Sequence, residues 1–508
     1  MLAKTESVAL VGTEARLVEV EVHVGTGVPA FRIVGLPAKS VTEAEQRTRA
    51  ALVSSQQRWP PHRITANLAP GALRKEGTHF DLALALGILA ADGRLSQEPL
   101  RGWLIMGELG LDGSVRPVRG ALAGAMSCRD LGRRGLLLPT ANAPEATVIE
   151  GIEVVPLETL RQAIQFLRGS WTPSPIPAIN FETPLYEADL VEAAGQPIAK
   201  RALEIGAAGG HNLLFIGPPG AGKTMLAQRL PGLLPEMSLE ESMEVTRLYS
   251  VAGLLPERAS LIRARPFRSP HQNISVAGLI GGGSGIAHPG EVSLAHHGVL
   301  FLDELSLFRR DALESLRAPA EDKMVRLARS GGAVTYPANF SLVAAMNPCP
   351  CGYREDPKRP CRCSALQLQL HWAKLSGPLM DRFDMQVLVK RLTRAQLLGN
   401  DEAESSATVR SRVEKARLIQ AERYGSPTLT NASVSSRELK RLSELSKEGR
   451  DLLGRAVDKE GLTGRGVGRV LRVARTLADL AGGGPVSEEH VGVALGFRLR
   501  DNLCEESL

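Results

Sequence analysis

The sequence has no apolar run long enough to cross a membrane. Its longest, Leu82–Ala91, is closed by Asp81 and Asp92 and falls far short of the roughly 18 residues that a spanning helix needs. The first residues, Met1-Leu2-Ala3-Lys4-Thr5-Glu6, carry an acid early and do not lead into the apolar stretch of a secretory leader. A cytoplasmic protein with no membrane partner is expected. No internal repeat is visible, which argues against a solenoid. Charge of one sign is also scarce. A net +6 on 508 residues permits a nucleic-acid partner without requiring one. Cysteine is sparse and uneven: four of the six fall within Cys349–Cys363, while Cys128 and Cys504 stand alone. In a reducing compartment such a cluster reads as metal binding before disulfides.

What is present suits a packed protein of several parts. Hydrophobic residues make up 43% and charged residues 23%, which supports cores rather than disorder. The length suggests about three domains. Residues 1–170 read as a mixed α/β unit. Val18–Val24 alternates apolar and polar side chains, as a half-buried strand does. Ile64–Leu68 is a second short strand, Thr42–Ser54 a helix, and Asp81–Ala91, apolar all round, a buried helix. Leu104–Gly107 and Gly135–Leu138 are strand-like. Pro173, Pro175 and Pro177 exclude helix and disfavour a ladder, which makes 171–184 a linker. Residues 185–390 alternate strands with helices. Residues 391–508 are helical, with Ala481–Pro485 separating the last two helices.

The apolar strand His211–Ile216 runs into Gly217-Pro218-Pro219-Gly220-Ala221-Gly222-Lys223-Thr224, and Thr224–Leu230 reads as the helix that follows. That strand–loop–helix context identifies a Walker A loop. Its glycines let backbone N–H groups approach phosphates, Lys223 reaches the β/γ-phosphates, and the Thr224 hydroxyl ligates Mg²⁺. Downstream, Val299-Leu300-Phe301-Leu302-Asp303-Glu304 is a buried strand ending in two acids. Asp303 would serve the magnesium and Glu304 the attacking water. A further strand, Phe340–Met346, delivers Asn347, whose amide would orient that water; the plainer reading is a turn-forming Asn-Pro with Pro348.

Gly209–Gly220 and Pro289–Leu305 resemble the magnesium-chelatase-like AAA+ ATPases, and among them the bacterial ComM (YifB) group. Asn347–Tyr353 and Ser376–Asp384 extend the resemblance over nearly the whole chain. It implies an α/β fold in three parts: an N-terminal Lon-protease-like (ribosomal S5 domain 2-like) domain, an AAA+ P-loop core and a C-terminal helical lid. It implies ATP and Mg²⁺ as cofactors, a homo-hexamer with ATP at its interfaces, and branch migration of DNA during natural transformation. By the same resemblance Arg382 matches the arginine finger that reaches a neighbour's γ-phosphate, and Arg465 the lid arginine that senses nucleotide. The alternative for Arg382 is a surface pair with Asp381 or Asp384. Gly464 and Gly466 suggest that Arg465 begins a helix. Arg469, Arg472 and Arg475 follow at helical spacing and read as a solvated face.

In the Lon-like part, the family's nucleophilic serine falls on His79 and its general-base lysine on Leu122. A Ser–Lys dyad needs both groups, so no peptidase activity is expected. Arg63, Arg74 and Lys75 are available there for DNA.

Two insertions of this branch would face a ring's pore: about 262–290, carrying Arg263, Arg265, Arg268 and His271, and a hairpin from Met324 to Tyr336. Alternation and a Gly-Gly turn support the hairpin directly. Lys323, Arg326 and Arg329 recur every third residue, so they do not share one strand face. They and Arg268 are the candidate contacts to branched or single-stranded DNA, held by phosphates without reading sequence. The alternative is a hairpin whose charges blunt an exposed edge. Cys349, Cys351, Cys361 and Cys363 supply four soft ligands for a structural Zn²⁺; the alternative is four free thiols. Rival functions are a protein-remodelling or magnesium-chelatase-type motor subunit and an ATP-dependent protease, the latter disfavoured by His79 and Leu122.

Overall fold

The computed structural model describes residues 1–176, 186, 188–256, 260–283, 286–329, 332–354, 356, 358–375, 377–394, 396, 403–435, 437–439 and 444–498. Most of the expected linker, the hairpin residues Ser330 and Gly331, Ser376 and Cys504 lie outside them. Among the described residues no helix is long and apolar enough to cross a membrane.

The N-terminal part of the fold holds a seven-stranded mixed sheet, ordered Ala30–Val34, Arg63–Ala69, Glu14–Gly25, Leu2–Val11, Trp103–Ile105, Gly135–Pro139 and Glu153–Leu157. Glu14–Gly25 pairs antiparallel with Leu2–Val11 on one side and with Arg63–Ala69 on the other. Its alternation buries Val18, Val20 and Val22 completely while Glu19 and Glu21 line the other face and meet Lys4. Asp81–Ala91 is buried at every position. Gly87 lets that helix press onto the sheet, because a Cβ there would stand 2.9 Å from Val22 Cγ2. The helix expected over Thr42–Ser54 is two pieces, Lys39–Thr42 and Ala44–Ser54.

The second sheet has five strands, all parallel, in the order Phe267–Arg268, Val299–Leu302, Ser341–Met346, Leu213–Ile216 and Met385–Leu388. Leu213–Ile216 and Val299–Leu302 are buried at every residue, because both faces of a parallel sheet are covered and its strands must be apolar throughout. Leu214, Leu300 and Leu302 pack toward Leu248, Leu313 and the hairpin's Val325 and Tyr336. Leu213, Phe215 and Phe301 share one core with Val409, Val413, Val470 and Leu477. The C-terminal helices Ser406–Tyr424 and Gly464–Leu480 thus have no separate core; they roof the parallel sheet. A buried polar cluster fixes them there. Asn431 Nδ2 donates to Asp479 at 2.8 Å and to the Thr476 hydroxyl at 3.0 Å, and His211 Nε2 meets the same hydroxyl at 2.7 Å.

The structure departs from three sequence expectations. Phe267–Arg268, assigned to an insertion, is the edge strand of the parallel sheet and pairs with Val299 and Leu300. The helix after the P-loop spans only Lys223–Ala227 and resumes as Leu230–Leu233, since Pro231 has no N–H to continue the ladder. The arginines after Arg465 are not a solvated face. Arg475 is buried against Asp479, Arg469 donates to Asp381 at 2.7 Å, and Arg472 to Val434 O at 3.0 Å.

The two sheets meet along the helix Leu239–Ala252. Its Ser250 hydroxyl donates to the buried Glu145 carboxylate at 2.6 Å and accepts from Gly120 N at 3.1 Å. The same helix carries Glu244, which takes hydrogen bonds from His296 and His297 at 2.9 and 2.8 Å. Those bonds pull its carboxyl well below the usual range and anchor the helix to the turn that starts Val299–Leu302.

Candidate functional site

Three adjacent strands of a parallel sheet end side by side, and each releases a polar residue at its carboxyl end: Leu213–Ile216 the P-loop, Val299–Leu302 Asp303, and Ser341–Met346 Asn347. The crevice beyond the carboxyl ends is where open α/β sheets bind ligands. Gly217 is required by close approach, since a Cβ would lie 2.1 Å from Val389 O. Gly220 and Gly222 adopt left-handed φ of 74° and 89°, a conformation that a side chain disfavours.

Lys223 Nζ is buried and donates to Gly217 O at 2.7 Å, Pro218 O at 3.0 Å and Asn347 Oδ1 at 3.2 Å. Burial lowers its pKa, and the nearby Asp303 and Glu304 carboxylates pull it back up. The Thr224 hydroxyl donates to Asp303 Oδ2 at 2.7 Å, while Asp303 Oδ1 accepts from Glu304 N at 2.9 Å. Two hard oxygen donors therefore stand together at the solvent side of the P-loop, the donor type that Mg²⁺ takes alongside phosphate and water. Glu304 sits in the left-handed region at φ 53°. Such strain on a non-glycine residue is found mostly at functional positions, and the residue is exposed.

Arg382 Nη2 donates to Glu321 Oε2 at 2.6 Å. It does not pair with Asp381 or Asp384. Asp381 instead receives Arg469 at 2.7 Å and the 84% exposed Arg465 at 3.9 Å. Arg465 occupies the first turn of Gly464–Leu480, whose N-cap Thr463 accepts from Gly466 N. Sequence reading missed Asn212. Its amide donates to Arg382 O and accepts from Leu342 N, both at 2.9 Å, while Asp384 Oδ2 accepts from Asn212 N at 3.1 Å. The strand that carries the P-loop thus also holds the segment bearing Arg382. A polar Asn-His pair opening an apolar strand was the available signal.

The basic candidates separate. Arg326 and Arg329 are exposed on the hairpin, whose strands Met324–Arg329 and Gly332–Pro337 pair antiparallel. Lys323 is not on the strand. It caps the preceding helix at φ 56°, with its ammonium 5.9 Å from the Phe340 ring centroid. Arg268 is committed to a two-point ion pair with Glu291 at 2.6 and 2.7 Å. Arg265 likewise serves Pro235 O, His297 O and Glu241. In the first sheet, Lys75 is fully buried on Gly35 O and Pro70 O, so it offers nothing to a ligand. His79 is buried too, bonded to Val8 O at 2.6 Å.

The four cysteines converge. Cys349, Cys351 and Cys361 sulfurs stand 3.3, 3.5 and 3.6 Å from one another, and all four Sγ atoms lie within 4.8 Å. A tetrahedral zinc with Zn–S of about 2.3 Å puts sulfurs about 3.8 Å apart, so the set fits that ion.

Residues 189–397 match the family model of magnesium chelatase, subunit ChlI. Residues 20–142 match that of subunit ChlI of Mg-chelatase, and residues 403–498 that of the subunit's C-terminal part. Competence protein ComM of Haemophilus influenzae is 42% identical, with 99% of each chain covered. An uncharacterized protein of Mycobacterium tuberculosis is 45% identical over 98% of each. The uncharacterized YifB of Escherichia coli is 40% identical over 97% of this chain and 96% of its own.

Proposed function

The chain belongs to the magnesium-chelatase-like ComM/YifB family, and from that premise we propose that it is an ATP-driven motor that moves branched or single-stranded DNA as a ring of six copies. The observation that carries the ATPase part is the meeting of Lys223, Thr224, Asp303 and Asn347 at the carboxyl ends of three neighbouring strands. Backbone N–H groups of Gly220–Thr224 cradle the phosphates, and Lys223 leaves its carbonyl partners for the β/γ-phosphates. Thr224 and Asp303 would hold Mg²⁺, which neutralises charge developing on the phosphates. Glu304 draws a proton from the attacking water, and Asn347 orients that water. Arg382 serves a neighbouring copy's nucleotide, and Arg465 on the roof helices reports its state.

In this reading the exposed Arg326 and Arg329 hold DNA phosphates, and the first sheet is a Lon-protease-like (ribosomal S5 domain 2-like) domain that has lost its chemistry. Leu122 is buried in a helix and His79 is tied to Val8, which leaves neither nucleophile nor base. Cys349, Cys351, Cys361 and Cys363 hold a structural Zn²⁺. The name of the Haemophilus relative connects it with competence. We extend that to this chain as recombination during natural transformation, carried out in the cytoplasm.

The test is the ATPase rate of the full chain with and without a synthetic four-way DNA junction, together with junction branch migration. Stimulation by the junction is expected. Lys223→Ala should lose nucleotide binding, and Glu304→Gln should bind ATP but not turn over. A rate indifferent to DNA and raised by a protein substrate would favour the protein-remodelling or chelatase-type reading. Branch migration retained by either variant would sink the motor.

A further inference from the structure

One residue, Pro348, separates Asn347 from Cys349. Asn347 Oδ1 accepts from Lys223 at 3.2 Å, and Cys349 is fully buried. The chain leaves the sheet at Asn347 and passes through the cysteines. At Ser364 it enters the helix Ala365–Ala373, capped by the Ser364 hydroxyl on Gln367 N. That helix turns back to the same place, since His371 Nε2 meets Asn347 O at 3.0 Å. Both ends of the cysteine loop are therefore tied to one residue of the nucleotide site. Its middle touches the P-loop itself. Gly352, next to Cys351, adopts φ 82° and packs so closely on Pro219 that a Cβ would lie 2.7 Å from Pro219 Cδ and 2.9 Å from Cγ.

We propose that the four-cysteine site is a working part of the nucleotide site. A Zn²⁺ held by Cys349, Cys351, Cys361 and Cys363 presses Gly352 against Pro219 and fixes Asn347, so that zinc occupancy and ATP binding are coupled. The proposal rests on the zinc and ATP readings given above. Its physical basis is that the described residues between Cys349 and Cys363 form no helix or strand and are held by few side-chain bonds. Asp356 meets Arg391 at 3.7 Å, and Arg359 meets the Tyr353 hydroxyl at 2.9 Å. A loop with so little secondary structure does not repay its ordering entropy by itself. Metal binding supplies that free energy as folding free energy. Once ordered, the loop buttresses Pro219 from outside and removes conformations in which the P-loop opens away from the phosphates. Linkage makes the effect reciprocal: the factor by which zinc tightens ATP is the factor by which ATP tightens zinc.

The experiment uses the full chain. ATP affinity is measured by titration with a fluorescent ATP analogue, on zinc-loaded and zinc-stripped protein. Zinc affinity is measured by competition with a chelator of known strength, with and without ATP. One zinc per chain is expected, with a change of about ten-fold in each affinity and the same factor in both directions. Gly352→Ala keeps all four thiols and places a Cβ against Pro219. It should still take up one zinc but bind ATP about ten-fold more weakly than the zinc-loaded parent, and this variant decides the matter if the stripped chain unfolds. Zinc-free protein as isolated and reconstituted would overturn the proposal. So would ATP affinity that is the same within two-fold in stripped and loaded folded chains, or in Gly352→Ala and the parent. A zinc-loaded parent that binds no ATP at all would instead remove the ATPase reading.

Discussion

The Thr224 hydroxyl donates to the Asp303 carboxylate over 2.7 Å, joining residues 79 apart in the sequence. The strands that deliver them flank Ser341–Met346 in the parallel sheet, and their carboxyl ends place a hydroxyl and a carboxylate where a cation bound to phosphate would need them. Thr224→Ala removes the hydroxyl and leaves the backbone cradle intact. It should raise the magnesium concentration needed for half-maximal ATPase and lower turnover at least about ten-fold, the scale of one charge-assisted hydrogen bond. Thr224→Ser keeps the oxygen and should stay within a few-fold of the parent. Equal loss in both variants would mean that packing at this position matters and the hydroxyl does not.

Arg382 pairs with Glu321, which is 63% exposed, and with no residue of its own P-loop among the described contacts. A pair with one partner this exposed contributes little, so in the ring proposed above the arginine would be released at small cost to a neighbour's phosphate. Arg382→Ala should leave ATP affinity near that of the parent and lower turnover by about 10³ or more, the range of an arginine finger. Mixing provides the sharper measurement. Arg382→Ala copies supply an intact Lys223, and Lys223→Ala copies an intact Arg382, so a mixed ring regains complete sites. Recovery of ATPase on mixing two inactive proteins is expected. No recovery at any ratio would place Arg382 outside a shared site.

Strand reading went furthest where burial was complete. Leu213–Ile216 and Val299–Leu302 are legible because a parallel strand covered on both faces has to be apolar at every position. Placing Asp303 and Asn347 beside the P-loop then follows from strands that all point one way. Phe267–Arg268 was not legible, since two residues carry no periodicity. Arg475 was misread because spacing alone makes it a surface stripe. Its partner Asp479 also receives Arg423 from a helix 56 residues away, and only the tertiary fold brings them together. Lys75 is a similar case, with backbone carbonyls as partners. No residue type announces such acceptors in a sequence.

The basic candidates should separate in a DNA-binding measurement. Arg326 and Arg329 are exposed on strand positions of opposite parity, so at least one faces any strand lying along the hairpin. Replacing both with alanine should weaken single-stranded DNA binding for every sequence tested. It should also reduce the slope of log affinity against log salt by about one for each phosphate no longer neutralised. Arg268→Ala should behave differently. It strands Glu291, itself only 22% exposed, and should lower the melting temperature while leaving the salt slope unchanged. An unaltered slope in the hairpin double variant would move the DNA path elsewhere.

His79 gives a pH dependence with a definite sign. Its ring is buried, and Nε2 donates to Val8 O at 2.6 Å, which puts a proton on that nitrogen. Burial pushes its pKa down to about 4, against an ordinary value of 6.5, and the bond to Val8 offsets only part of that. The unfolded chain therefore binds the proton first as pH falls. Stability from this group is complete above about pH 6.5 and is lost progressively toward pH 4, by about 3 kcal/mol in all. Asp81 works in the opposite direction, because burial, only partly offset by Arg47, raises its carboxyl to about 6. It is present in both parent and variant and so drops out of their difference. His79→Gln keeps a side-chain N–H for Val8 O and removes the titration. Amide exchange in the helix Asp81–Ala91, which reports local opening, should show the parent losing about 2 kcal/mol more than the variant between pH 7 and pH 5. Identical pH dependence in the two chains would mean that His79 is charged or solvated in the fold, and the burial argument would fail with it.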